Sequence, residues 1–290
     1  MEKFNRNYKL TVQSLEGDFV TIGLPFTVEF DIQRNILSSV NTSSIRIFGL
    51  NPDTRNKIRK DKSDFDVNRR VNLKCGYGDN LSTVFDGNLF QAWSTRPNNV
   101  VVTQMECMDA GYAAANANMA FSAQKDTTER DVIKNMIKSM ADYNVSLGSI
   151  GSFENQLTRG NTFSGNSFEA LKEYRSQQGG FFVDNGIANV LNDDEVLEGP
   201  IQLINADTGL LGTPQLHGTF INFDILFSPE LLIGQQIQLT SKLNPSFNAI
   251  YKILSIAHRG TISESVCGDA ITTIGAYFGV ASFKEVRRGE

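Results

Sequence analysis

Leu24 to Asp61 reads LPFTVEFDIQRNILSSVNTSSIRIFGLNPDTRNKIRKD. Phe26, Val28, Phe30 and Ile32 alternate with Thr27, Glu29, Asp31 and Gln33. That period of two, carried by β-branched and aromatic residues, predicts a strand with one buried and one solvated face. A polar linker, Ser38 to Ser44, leads to a second short apolar run of Ile45, Ile47 and Leu50. Asn51-Pro52-Asp53-Thr54 follows: Asn suits an N-cap and Pro suits the first helical position. Arg55, Lys57, Arg59, Lys60 and Lys62 then give this short helix a basic face, a candidate docking surface for a neighbouring protein.

Upstream, Asn7–Val12 predicts a first edge strand and Phe19–Ile22 another, across a Gly17-Asp18 turn. Downstream, Val71–Tyr77, Val84–Thr95 with Gly87 as a bulge or bend, and Val100–Met108 extend the pattern. Residues 1–112 are thus expected to form a β-barrel or sandwich. After Asp109 the composition turns Ala- and Asn-rich, as in a connector. Asp126 with Glu129 has capping-box spacing. Val132, Ile133, Met136, Ile137 and Met140 then share one helical face. Loops are expected at 148–152 and 161–167, and a second helix from Asn166 or Ser167 to Gln178. Asp184-Asn185-Gly186 between two apolar runs is a strong hairpin signal. Residues 113–198 therefore read as a small α+β domain with two helices and a hairpin at 181–191.

Asp193-Asp194-Glu195 and Gly199-Pro200 mark the next boundary. Residues 199–283 read as a second β-domain, with an irregular loop at Thr208–Pro214 and alternation at Ile250–Arg259. Residues 284–290 read as a solvated polar tail. The fold class is mainly β with an α+β insert between two β-domains.

The chain has 290 residues, 40% of them hydrophobic, and a net charge of −5. The acidic balance argues against bulk nucleic-acid binding as the main task. Cys75, Cys107 and Cys267 are widely spaced and fit reduced core thiols better than a disulfide framework or a zinc site. The N-terminus has no apolar core of a signal peptide, and no apolar run approaches the ~20 residues of a membrane helix.

No catalytic constellation is visible. His217 falls in a Gly-rich loop, and His258 falls on the polar phase of its strand with Lys252, a surface position. Neither has metal-ligand spacing. No nucleophile elbow, P-loop or dinucleotide fingerprint occurs. Glu29 with Asp31, and Asp193, Asp194 and Glu195, are paired carboxylates of the kind a glycosidase uses, but they read as solvated. The expectation is a non-enzymatic assembly protein, with no catalytic, cofactor or metal residues.

At this point a resemblance emerges. Phe30-Asp31-Ile32-Gln33-Arg34, Ser38–Asn41, Ile45–Leu50 and Thr54-Arg55 through Ile58 resemble the N-terminal region of baseplate hub proteins of contractile-tailed bacteriophages. Val71–Asp79 with Val84–Gly87, Thr208–Pro214, Leu226–Gly234 and Tyr251–Gly260 are similar to later parts of that family, in order. Gly49 stands where Asn is commoner.

The resemblance implies two β-barrel-like tube domains flanking the α+β domain. It implies a homotrimeric hub that joins the sixfold tail tube to the threefold central spike. The lumen would pass the tape measure protein and DNA, and baseplate wedge proteins would be further partners. Such a protein belongs to the virion and is assembled in the host cytoplasm. Two alternatives come from other classes: a tail-associated cell-wall hydrolase or carrier of a lytic module, and a receptor- or glycan-binding adapter.

Overall fold

The computed structural model describes residues 5–36, 40–61, 63, 68–175, 180–266, 268–277 and 282–287. The N-terminal part contains β1 (Arg6–Gln13), β2 (Phe19–Gly23), β3 (Val28–Asn35), β4 (Thr42–Phe48), α1 (Pro52–Ile58), β5 (Arg70–Tyr77), β6 (Asn80–Thr95) and β7 (Val102–Met108). The middle part contains α2 (Gly111–Asn116), β8 (Asn118–Ala123), α3 (Glu129–Lys138), β9 (Ser146–Ile150), β10 (Asn161–Asn166), α4 (Ser167–Arg175), β11 (Gly180–Asp184) and β12 (Ile187–Leu191). The last part contains β13 (Glu195–Leu197), β14 (Gln202–Ile204), β15 (Leu210–His217), β16 (Phe220–Leu226), β17 (Gln236–Leu239), β18 (Ala249–Ile262), β19 (Ala270–Tyr277) and β20 (Lys284–Val286).

Strands from both ends of the chain form one 13-stranded sheet, with β14 and β17 branching from a path that runs β15-β16-β19-β18-β3-β4-β7-β6-β5-β1-β2. The join is β18. One of its edges pairs with β17 through Ala249–Lys252 and then with β3 through Ser255–Ile262, while β19 follows its other edge. A register shift between Ile253 and Ser255 lies at the handover, where a bulge bends a strand and increases its twist. The sheet path is open at β2 and β15, and no closed barrel is traced among the described residues.

Burial follows the two-residue period. Val28, Phe30 and Ile32 point into a core with Leu10, Ile45, Ile47 and Leu73. A second core gathers Val132, Ile133, Met136 and Ile137 of α3 with Phe168 and Leu171 of α4 over the β11–β12 hairpin. A third packs Ile225, Ile237, Ile253 and Ile274 between the last strands. Cys75 and Cys107 are buried free thiols, whose burial pushes their pKa values up; Cys267 lies outside the described residues.

Several expectations change. β1 lies between β2 and β5, so β2 is the edge. Gly87 is not a bulge. The β6 register shifts lie elsewhere, and a Cβ at Gly87 would sit 2.7 Å from the Met108 carbonyl oxygen, so glycine serves a close approach. The Ala/Asn-rich stretch is not a connector but α2 and β8, and β8 pairs with β10, where a loop was expected. The α3 cap is Thr128, whose Oγ1 accepts from the Asp131 amide at 3.2 Å; Asp126 sits in the left-handed region. The supposed irregular loop at 208–214 mostly belongs to β15, and the tail contains β20, parallel to β13. In both cases the backbone is fixed by ladder partners distant in sequence, which local composition does not reveal.

Candidate functional site

The solvated face of β3 and its neighbours forms a charged checkerboard. In register across the sheet, Arg259, Asp31, Ser44 and Glu106 make one row. Thr261, Glu29, Arg46 and Gln104 make the next. Both acids stand on the central strand and both arginines on the strands beside it. Arg46 meets Glu29 at 3.1 Å, and Arg259 meets Asp31 at 3.0 Å. Gln33 donates to Asp31 at 2.6 Å, and Ser44 and Gln104 both donate to Glu106. A groove of about 330 Å3 runs between the two ion pairs. The polar phase continues onto β19 and β16, where Thr273 donates to Asp224 at 2.6 Å.

Beneath this face the three cores meet at a buried polar junction. Arg34 continues the inward phase of Val28, Phe30 and Ile32, and its side chain is 1% exposed. Its Nη2 meets Asp184 Oδ2 at 2.8 Å and donates to the Leu231 carbonyl at 3.3 Å. Asp184 begins the tight turn of the β11–β12 hairpin. Asn185 and Gly186 both have positive φ, which the Asn-Gly pair tolerates. Their amides donate to the two oxygens of Asp109 at 2.6 and 2.9 Å. Asn185 Oδ1 accepts from the Asp86 amide, and Asn41 Nδ2 donates to the Val183 carbonyl. Burial first, and the neighbouring Asp184 second, push the Asp109 carboxyl up to about 7, against its two amide bonds and Arg34.

His258 also faces inward, fully buried, with Nδ1 2.9 Å from Thr272 Oγ1 and its ring edge-on to Phe227. Burial, then Arg34, hold its pKa well below the usual value. The surface placement expected for it is therefore wrong. The β18 bulge shifts the phase, so that Ile256, His258 and Ile262 face inward after it. Lys252, also expected outside, is buried; its Nζ donates to the Asn192 carbonyl at 3.0 Å, and burial lowers its pKa to about 8. His217 ends β15 in an exposed position.

The acidic turn divides. Glu195 is buried and accepts from the Ser152 and Asn192 amides at 2.8 and 2.9 Å, which corrects its solvated reading. Asp194 pairs with Lys284 at 2.7 Å. Among the described residues, no group of three or more His, Cys, Asp or Glu side chains is placed to hold a metal ion.

Helix α1 forms as its cap predicts, with Asn51 Oδ1 accepting from the Thr54 amide at 2.8 Å. Its basic residues do not form one face. Lys57 and Arg59 are exposed, Arg59 pairs with Asp61 at 3.1 Å, and Arg55 is half-buried. Lys60 is buried, donates to the Leu89 carbonyl at 2.7 Å and bridges Ala92 through its backbone. It belongs to the core, because the helix ends at Ile58 and the chain turns inward. Lys62 lies outside the described residues. Buried Arg69, absent from the sequence reading, donates to the Lys57 and Arg59 carbonyls that end the helix.

A model of the Baseplate hub gp41 family matches residues 8–261. The chain belongs to that family. It is thus a phage tail protein of the baseplate hub, as the sequence motifs suggested. Its fold is that of other tail proteins. The 43 kDa tail protein of prophage MuSo2 from Shewanella oneidensis aligns with TM-score 0.63 at 6% identity, covering 92% of this chain and 96% of that one. A tail protein from Neisseria meningitidis MC58 aligns with TM-score 0.62 at 10% identity, covering 95% and 97%. The E. coli c3393 protein is a component of the type VI secretion system described as structurally similar to the T4 tail proteins gp27 and gp5. It aligns with TM-score 0.60 at 10% identity, covering 95% of this chain and 78% of that one. No curated protein matches the sequence. The family is a baseplate hub family, and the Shewanella and Neisseria neighbours are tail proteins. No helix among the described residues is long and apolar enough to cross a membrane.

Proposed function

We propose that this chain is the homotrimeric hub of a contractile tail, joining the sixfold tail tube to the threefold central spike. Three copies, each with a β-unit at 1–112 and another at 199–283 flanking the insert at 113–198, make six β-units around one axis. The observation that carries this reading is the β18–β3 pairing, which holds the first and last β-units of one chain side by side in a single sheet. The open edges at β2 and β15 offer backbone groups for ring closure between copies.

In this arrangement the checkerboard face lines the passage for the tape measure protein and DNA, and DNA passes without sequence-specific binding. Tail tube, spike and wedge proteins dock outside it. The exposed basic residues at the end of this helix, Lys57 and Arg59, with half-buried Arg55 beside them, are one docking surface. The chain does no chemistry of its own. It is assembled in the host cytoplasm and resides in the virion.

Mass photometry of the chain mixed with its spike partner tests this reading. A species with three hub copies is expected, and only monomeric hub in the mixture would contradict it.

A further inference from the structure

We propose that Glu29 and Asp31 mask Arg46 and Arg259, so that the face they share lets a nucleic-acid polyanion pass without gripping it. This rests on the reading of that face as the wall of the passage. Arginine is the side chain best suited to hold phosphate, through a planar fork of donors. Arg46 on β4 and Arg259 on β18 stand on either side of β3 and flank one groove. Adjacent strands lie about 4.8 Å apart and residues rise about 3.3 Å along a strand, so the two arginines, two strands and two residues apart, start roughly 12 Å apart on the same face. Left free, they are the beginnings of a phosphate clamp.

Neither is free. Arg46 Nη2 meets Glu29 Oε2, and Arg259 Nε meets Asp31 Oδ2. Gln33 holds the second oxygen of Asp31, which fixes that carboxylate toward Arg259. Glu106 in one of these rows and Asp224 in the adjoining row of Gln33 are acids, each held by neutral donors. Exposed ion pairs add little to stability. Their effect here is on charge: affinity for DNA comes largely from cations that displace counterions from phosphates, and a neutralised arginine displaces none.

The test uses the full chain carrying Glu29→Gln and Asp31→Asn, with fluorescence anisotropy on a short labelled DNA duplex between about 50 and 200 mM NaCl. The variant is expected to bind about tenfold or more tighter at the lower salt. Its salt slope should steepen by about two, one for each arginine released. Adding Arg46→Gln and Arg259→Gln should return binding to the starting level. A folded double variant that binds no tighter overturns the proposal, as does tightening that survives loss of both arginines. If the double variant does not fold, Glu29→Gln and Asp31→Asn are made singly, each releasing one arginine. Each should tighten DNA binding and steepen the salt slope by about one, and folded single variants that bind no tighter overturn the proposal. If masking holds while imaging of the particle places this face outside the lumen, the passage reading fails and the masking stands.

Discussion

Arg34 and Asp184, 150 residues apart in sequence, meet at 2.8 Å with their side chains 1% and 7% exposed. This contact ties strand β3 of the sheet to the hairpin of the insert, and Arg34 adds the Leu231 carbonyl from the last part of the chain. Removing one partner of a buried pair strands the other charge in a low dielectric, at a cost of about 3–5 kcal/mol. Arg34→Met or Asp184→Asn should therefore lower stability by that order in urea denaturation. Arg34→Met combined with Asp184→Leu should recover most of the loss, because no lone charge remains.

Asp109 gives the junction a pH dependence. Its carboxyl is raised from the ordinary range to about 7. A raised acid favours the protonated native state. Its contribution to stability is fully present below about pH 4 and is lost as pH rises through 7. One proton bound only in the native state corresponds to about 1.4 kcal/mol per pH unit. Denaturant midpoints between pH 5 and 8 should fall more steeply for the natural chain than for Asp109→Asn. The comparison is needed because His258, held neutral by burial, gives the opposite trend.

Glu195 anchors the link between insert and sheet through the Ser152 and Asn192 amides. Hydrogen bonds to a charged group contribute about 1.5–3 kcal/mol each. Glu195→Ala should destabilise the chain by at least that amount in thermal unfolding, and loss of β20 pairing to β13 should appear as faster amide exchange at Lys284–Val286.

The basic segment separates into surface and core. Charge reversal at Lys57 and Arg59 should leave stability within about 0.5 kcal/mol, as for exposed positions generally. If that helix docks a neighbour, the same variant should lower incorporation into tails, read by quantitative immunoblot of purified particles. Lys60→Ala should instead destabilise, because it strips the buried Leu89 carbonyl of its donor.

Much of this architecture is legible in the sequence. The alternation of Val28, Phe30 and Ile32, the Asn51-Pro52 helix start and the Asn185-Gly186 turn each follow from local chemistry. Arg34 falls two residues after Ile32, on the inward phase, but the sequence reading ended that phase at Ile32 and missed the junction. What stayed hidden depends on pairing over long sequence distances. The β18 bulge reverses which residues face inward, so His258 was placed on the wrong side. The burial of Lys60 and Glu195 depends on strand β6 and the Ser152 segment, which neither residue's neighbours in sequence reveal. The meeting of β3 with β18 joins residues more than 200 positions apart, a register no local pattern encodes.

Cryo-EM of the assembled tail tests the central claim most directly. The account predicts three copies of this chain around the axis at the tube–spike junction, with Glu29, Asp31, Arg46 and Arg259 facing the lumen. A different copy number, or those four side chains facing away from the axis, would contradict it.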